Sequence, residues 1–220
     1  MHAPMHDLFD AAGADAGSAT QFAEDAWLLR GFALDRAAAL LEAIDAITAQ
    51  APFRHMETRR GLRMSVAMSN CGALGWVSDR RGYRYAARDP LDGQPWPPMP
   101  AVFARLAAQA ARAAGFDGFK PDACLVNRYE PGTRLSLHQD RDERDFAAPI
   151  VSVSLGLPAT FVFGGAARGD RVQRLSLRHG DVVAWGGASR LFHHGVLPLA
   201  EGSHPLLGAR RINLTFRRAG

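Results

Sequence analysis

Lysine is nearly missing from this 220-residue chain: Lys120 stands alone beside 25 arginines. Cysteine is scarce too. Cys71 and Cys124 lie far apart and in no CxxC context, which excludes a disulfide framework and a cysteine-built zinc module and predicts two free thiols. No apolar run approaches the ~18 residues that cross a bilayer. The first ten residues carry His2, His6, Asp7 and Asp10 in place of the apolar stretch of a secretory signal. The expectation is therefore a cytoplasmic protein with no membrane association. A hydrophobic share of 47% with 22% charged residues excludes a disordered, collagen-like or coiled-coil chain and suits one large domain. No Ser-His-Asp or paired-glutamate arrangement offers a nucleophile or a general acid–base pair.

What is present is an uneven charge. The net is +4 with a pI near 9.7. Residues 1–50 carry −6, residues 51–90 carry +5, residues 91–159 carry −1 and residues 160–220 carry +6. Two basic segments around a neutral middle would make a nucleic-acid footprint if they share a face. Solvated arginines in an alanine- and arginine-rich composition would look the same, and charge alone does not choose.

Along the chain, residues 1–25 read as a loose leader rich in Ala, Gly, Asp and Ser. Trp27 to Phe32 reads as a strand. Asp35 reads as the N-cap of an amphipathic helix with Leu40, Leu41, Ile44 and Ile47 on one face, ending before Pro52. Residues 53–98 mix Arg, Gly, Tyr, Trp and Pro and predict short hairpins and loops. Pro100 to Ala114 is a second helix, stopped by Gly115. From residue 121 onward, eight short segments rich in Val, Ile, Leu and Phe alternate with Gly and Pro: 123–129, 135–140, 150–157, 160–163, 172–177, 181–185, 193–198 and 211–216. That count predicts two sheets of a jelly roll. The fold class is thus mainly β with flanking helices, an α+β chain. It has an N-terminal extension over 26–120 and a core over 121–220, integrated into one domain.

Chemistry concentrates on that core. His138 and Asp140 are two apart on a strand and point the same way. A third ligand from the pair His193-His194 would complete two histidines and a carboxylate, the facial set of non-haem iron(II) oxygenases that leaves coordination positions open. Adjacent strand residues point oppositely, so one of the pair is chosen, and spacing does not say which. An H-x-D pair alone is common by chance. Two further features strengthen it. Arg211, Asn213, Thr215 and Arg217 share one strand face, which is costly to bury unless an anion satisfies it. Asn127 and Tyr129 share a face upstream. A dicarboxylate bound to iron at one end and to arginine at the other would suit this set. An edge strand with its polar face in water is the plain alternative.

The stretches SVAMSNCG (65–72), PDACLVNRY (121–129), LSLHQD (135–140), APIVSVSLGLP (148–158), HGDVV (179–183) and NLTFR (213–217) are long and specific. Through them the sequence resembles the bacterial AlkB family of iron(II)- and 2-oxoglutarate-dependent DNA-repair dioxygenases, over nearly its whole length. The resemblance implies a double-stranded β-helix, or jelly-roll, core with a nucleotide-recognition lid before it, near residues 53–98. It implies His138, Asp140 and His194 as catalytic iron ligands, choosing His194 over His193. It implies Asn127, Tyr129, Arg211, Asn213 and Arg217 as the 2-oxoglutarate pocket, with Arg211 on the distal carboxylate and Arg217 near the iron-bound end. Trp76, Tyr83, Arg84, Tyr85, Asp142 and Arg168 match substrate-contacting positions. His193 replaces the family's usual aromatic, Arg134 stands where a lysine is expected, and Arg84 lies between the two tyrosines.

The implied activity is oxidative demethylation of 1-methyladenine and 3-methylcytosine, preferably in single-stranded DNA. Iron(II), 2-oxoglutarate and dioxygen would be consumed or used, with release of formaldehyde, succinate and carbon dioxide by a monomer. An aromatic face attracts a flat cationic base, and Asp142 would complement its charge. The rival with the same chemistry acts on methylated RNA or a protein side chain. The rival of another class is a jelly-roll binding module whose metal is structural or absent.

Overall fold

The computed structural model describes residues 16–220. The most N-terminal part of the expected leader lies outside the described residues. Its end is a correction: β1 (Ala19–Ala23) pairs antiparallel with β2 (Ala26–Leu29), so the chain is already part of a sheet before Trp27. Helix α1 (Ala37–Gln50) buries Leu40, Ile44 and Ile47 as its spacing predicts. Asp35 does not cap it. A 3-10 turn at Leu34–Arg36 intervenes, and the first residue of α1 follows Arg36 with no side-chain cap.

The hairpin region divides in two. β3 (Arg54–Glu57) and β4 (Arg63–Gly72) join the main sheet, because β4 is buried without interruption from Val66 to Cys71. Only β5 (Gly75–Asp79) and β6 (Gly82–Ala86) form a separate two-stranded ribbon. Within the segment 53–98 expected as a lid, this ribbon alone stands outside the main sheet. Helix α2 (Ala101–Ala113) follows, with Phe103, Leu106, Ala107, Ala110 and Ala111 buried at helical spacing.

The eight predicted segments become β7 (Ala123–Tyr129), β8 (Leu135–His138), β9 (Ile150–Gly156), β10 (Ala159–Phe163), β11 (Gln173–Leu177), β12 (Val182–Trp185), β13 (His194–Val196) and β14 (Arg211–Arg217). They build a jelly roll of two antiparallel sheets. The larger runs β1-β2-β12-β9-β14-β7-β4-β3 and the smaller β11-β10-β13-β8. Residue 121 does not mark a structural boundary, since β1 to β4 extend the same large sheet on both sides of β7, β14, β9 and β12.

Strand parity sorts the large sheet's two faces. Val126, Val151, Val153, Val182, Ala184, Leu214 and Phe216 meet the helices. Phe103 of α2 packs edge-on against Phe216 at 5.7 Å. The opposite face, with Leu125, Tyr129, Ile150, Val183 and Trp185, meets Phe161, Phe163 and Val196 of the small sheet. The site lies between the sheets, on this second face. Among the described residues no helix is long and apolar enough to cross a membrane.

Candidate active site

His138 ends β8 and His194 opens β13, and the two are direct partners in the small sheet. Asp140 follows two residues after His138. The pairing brings one ligand atom from each of the three within 4.8 Å of the others. His138 Nε2 lies 3.6 Å from Asp140 Oδ1, and His194 Nε2 lies 3.8 Å from Asp140 Oδ2. Each histidine points its Nδ1 at a nearby carbonyl, His138 at Ser136 (2.8 Å) and His194 at Phe192 (3.0 Å). A carbonyl accepts only from an N–H, so both rings carry the proton on Nδ1 and turn an Nε2 lone pair inward. His193 does not join them; its Nδ1 lies 3.2 Å from the Gly165 carbonyl. The chemistry of this donor set fits iron(II).

The carboxylate is held from behind. Arg217 on β14 donates to Asp140 Oδ2 through Nε at 2.7 Å, and its Nη2 lies 2.6 Å away. Burial alone would raise the Asp140 pKa, but Arg217, His194 and His138 outweigh it and hold the group below the usual carboxylate range. Burial, with His138 beside it, drives His194 down to about 3 against the pull of Asp140, so the ring is neutral and free to ligate at physiological pH. Arg217 also reaches Glu143 Oε1 at 3.3 Å, and Arg190 donates to Glu143 Oε2 at 3.2 Å. Tyr85 donates its hydroxyl to Glu143 at 2.7 Å. Burial pushes that phenol well up, with Glu143 and Asp140 adding to the rise, so it stays a donor. Two guanidiniums thus balance two buried carboxylates. Glu143 and Arg190 went unread in the sequence, where neither falls on a strand with a telling parity.

The polar face of β14 is interior. β14 lies between β9 and β7, with Arg211 opposite Tyr129 and Asn213 opposite Asn127. The edge-strand alternative is therefore excluded. Arg211 is 1% exposed. It donates to Ser154 Oγ at 3.0 Å and lies 4.9 Å from the centre of the Tyr129 ring. Its Nε and Nη1 have no hydrogen-bond partner, and neither does Asn127 Oδ1. Burial lowers the Arg211 pKa, opposed by Tyr129. An interior guanidinium with two unmet donors fits a carboxylate ligand, since a buried charge without a counter-ion costs several kcal/mol. Asn213 is oriented by the strand beside it, donating to Ser152 Oγ (2.8 Å) and Val153 O (3.0 Å). Ser152 and Ser154 were legible as polar positions alternating with apolar ones on β9.

A cavity of about 850 Å³ opens over the triad. His138, Asp140 and His194 line it, with Asn127, Ser152, Thr215, Trp185 and Arg217 around them. Arg211, Tyr129 and Asn213 are not on its wall but share the same sheet face beyond Asn127. At the mouth stand Trp76, Tyr83, Asp142 and Arg168. Asn70, buried on β4, fixes the backbone of Trp76 with two 3.0 Å hydrogen bonds. The Trp76 indole stacks on Tyr83 (5.6 Å, 19° between planes) and donates to Asp142 at 2.8 Å. Arg168 donates to the Leu137 carbonyl at 2.9 Å. Arg84 lies on the other face of the ribbon. Parity turns it away from Trp76, Tyr83 and Tyr85, and both carboxylate oxygens of Asp79 engage it at 2.9 and 2.7 Å. It borders a smaller cavity of about 380 Å³ on the other side of Tyr83.

Residues 25–217 match the model of the 2OG-Fe(II) oxygenase superfamily. The chain belongs to that superfamily. Within it the likeness is to AlkB. The chain is 59% identical over 197 residues to the alpha-ketoglutarate-dependent dioxygenase AlkB of Salmonella typhimurium, covering 90% of this chain and 91% of the relative. It is 58% identical over 198 residues to that of Escherichia coli, covering 90% and 92%. The solved structure of OsALKBH1 superposes with a TM-score of 0.80 at 28% identity, covering 91% of this chain and 100% of the other. The chain is accordingly an iron(II)- and 2-oxoglutarate-dependent dioxygenase of the AlkB type, using dioxygen as co-substrate. The binding-module alternative falls with it.

Proposed function

We propose that this dioxygenase oxidatively demethylates N-alkylated bases, 1-methyladenine and 3-methylcytosine, in nucleic acid, with single-stranded DNA preferred. One observation carries the reading: the stacked Trp76–Tyr83 pair and the Asp142 carboxylate stand together at the mouth of the cavity whose floor is the iron triad. A flat base bearing a positive charge gains from an aromatic face and from a carboxylate beside it. A neutral, unmethylated base would gain less from this pair, and a methylated cationic side chain is the competing occupant that the oligonucleotide test addresses. The ribbon of β5 and β6 is the lid, and a target base reaches the floor only by leaving its stack, which is easiest in single strands. Relatives carry names of the same sense, among them the human nucleic acid dioxygenase ALKBH1, 33% identical over 59% of this chain and 34% of its own length.

In this reading His138, Asp140 and His194 hold iron(II). Asn127, Tyr129, Arg211, Asn213 and Arg217 serve 2-oxoglutarate, Arg211 taking the distal carboxylate. When bound, iron with 2-oxoglutarate and dioxygen supplies the oxidation of the N-alkyl carbon, which leaves as formaldehyde while succinate and carbon dioxide are released. The chain's residues do the rest. Trp76 and Tyr83 orient the base, Asp142 favours its cationic form, and Arg217 keeps Asp140 ionised as a ligand. Arg168 contributes to the strand's backbone. The reading is of a monomer acting in the cytoplasm.

The test is formaldehyde release from a 3-methylcytosine oligonucleotide with iron(II), ascorbate and 2-oxoglutarate. Release is expected from the native chain, together with loss of at least ~100-fold in His138→Ala and Asp140→Ala, in keeping with the weight of a lost metal ligand. Absence of formaldehyde alongside 2-oxoglutarate turnover would leave the dioxygenase standing and reject the substrate. Matched DNA and RNA oligonucleotides decide between the two nucleic acids.

A further inference from the structure

Two hairpin tips meet beside the cavity mouth. The turn between β3 and β4 holds Arg59 and Arg60, closed by Gly61 N–H donating to the Thr58 carbonyl at 2.8 Å, with Arg63 opening β4. The turn between β5 and β6 is the two-residue loop Arg80-Arg81, with Asp79 and Gly82 paired across it. The Arg80 guanidinium lies within 3.7 Å of where a Cβ on Gly61 would sit, so the tips adjoin. Thr58, Leu62 and Arg63 also line the 850 Å³ cavity, which ties the cluster to its rim. On the far side, Ser65 Oγ donates to the Arg134 carbonyl at 3.0 Å, continuing the row to a further arginine that lines the cavity.

Arg59, Arg60, Arg63, Arg80 and Arg81 are all exposed. None forms an ion pair among the described residues. The acids available are Glu57, opposite Arg63 in register, and Asp79, which Arg84 already engages. Arg59, Arg60, Arg80 and Arg81 place four like charges on two adjoining turns, and Asp79, which Arg84 engages and Arg81 adjoins, offsets them only in part. A polyanion relieves them, and guanidinium forks suit phosphate oxygens.

We infer that Arg59, Arg60, Arg80 and Arg81 form a phosphate-binding strip that holds the nucleic-acid strand outside the nucleotide cavity. This rests on the nucleic-acid reading above and adds to it a second contact surface, one that short substrates do not reach. The strip touches backbone phosphates, so it serves DNA and RNA alike.

The experiment compares the native protein with the R59A/R60A/R80A/R81A variant on a methylated trinucleotide and a methylated 15-mer, with binding of the 15-mer measured across salt concentrations. All four side chains are on exposed turns, and an unchanged rate on the trinucleotide certifies the fold. The expected result is equal kcat/KM on the trinucleotide and at least a 10-fold loss on the 15-mer. The slope of log K against log salt becomes shallower by about 3, near 0.7 for each of four single-strand phosphates. DNA and RNA 15-mers should lose equally. An unchanged slope with native activity on the 15-mer overturns the strip and leaves the demethylase reading intact. Equal losses on both substrates also overturn it. Failure of the native protein to bind or demethylate either oligonucleotide overturns both.

Discussion

Arg211 brings a charge into the interior with two donors unmet, and on that ground the proposed function assigns it the distal carboxylate of 2-oxoglutarate. Ser154 and the Tyr129 ring orient the guanidinium without neutralising it. Arg211→Ala should therefore raise KM for 2-oxoglutarate by ~30-fold or more, about 2 kcal/mol for truncating one partner of a buried charge pair. KM for oligonucleotide should stay near its native value, and steady-state kinetics with each substrate varied in turn checks the split. Trp76→Ala should do the reverse. Losing an aromatic platform under a base is worth about 1–3 kcal/mol, so KM for oligonucleotide should rise ~5- to 100-fold while that for 2-oxoglutarate holds. At this scale much of the site was legible. Parity put His138 with Asp140 and Arg211 with Asn213 and Arg217 on common faces. Whether those faces were wet or buried was not legible, because that depends on β14 having neighbours on both sides. Arg84 alternates with Tyr83 and Tyr85 and so faces Asp79.

At the scale of elements, the loops that close the Arg211 end of the sheets carry a pair of histidines in ring contact. His179, just before β12, and His204, before β14, have ring centroids 4.5 Å apart. His179 Nδ1 accepts from the Gly156 N–H at 2.9 Å, and His204 Nδ1 accepts from the Leu206 N–H at 3.2 Å. Burial lowers the His179 pKa below 6.5, and His204 lowers it further. A histidine whose folded pKa is depressed contributes stability that is present above its unfolded pKa, ~6.5, and lost as pH falls toward the folded value. The melting temperature should therefore drop as pH goes from 7 to 5, and His179→Gln should flatten that part of the profile. A thermal melt series at fixed ionic strength tests it, and an equally steep profile in the variant would reject the assignment. Elements themselves were well marked in the sequence, since the strands after residue 121 are short apolar segments separated by Gly and Pro and each helix carries an apolar stripe. The exceptions, β1 and β3, are short, and both are largely outside the core. They are strands because β2 and β4 offer them open edges, which no local pattern records.

For the whole molecule, the two sheets close on a core whose charges are balanced except at Arg211. Ligands that complete the site should stabilise the fold. At a concentration 100 times its Kd, 2-oxoglutarate with manganese(II) in place of iron should add about 2.7 kcal/mol. That is ~5–10 °C in Tm for a chain of this size. Arg211→Ala should abolish most of the 2-oxoglutarate increment while keeping the metal's own, which differential scanning fluorimetry resolves without any turnover. What the sequence determined by itself was local: strand parity, helix stripes, the ligand types and their spacing, and through its long matching stretches the family. What the tertiary structure decided was which residues share an interior. It joined β8 to β13 to complete the triad, sank the polar face of β14 between β9 and β7, and brought Glu143 and Arg190 behind Asp140. It also set the Arg59-Arg60 turn against Arg80-Arg81, and so made a surface out of an excess of arginine that composition had left without meaning. The physical reason is that alternation and periodicity act over a few residues, whereas burial, charge pairing and unmet donors depend on neighbours that lie far away along the chain.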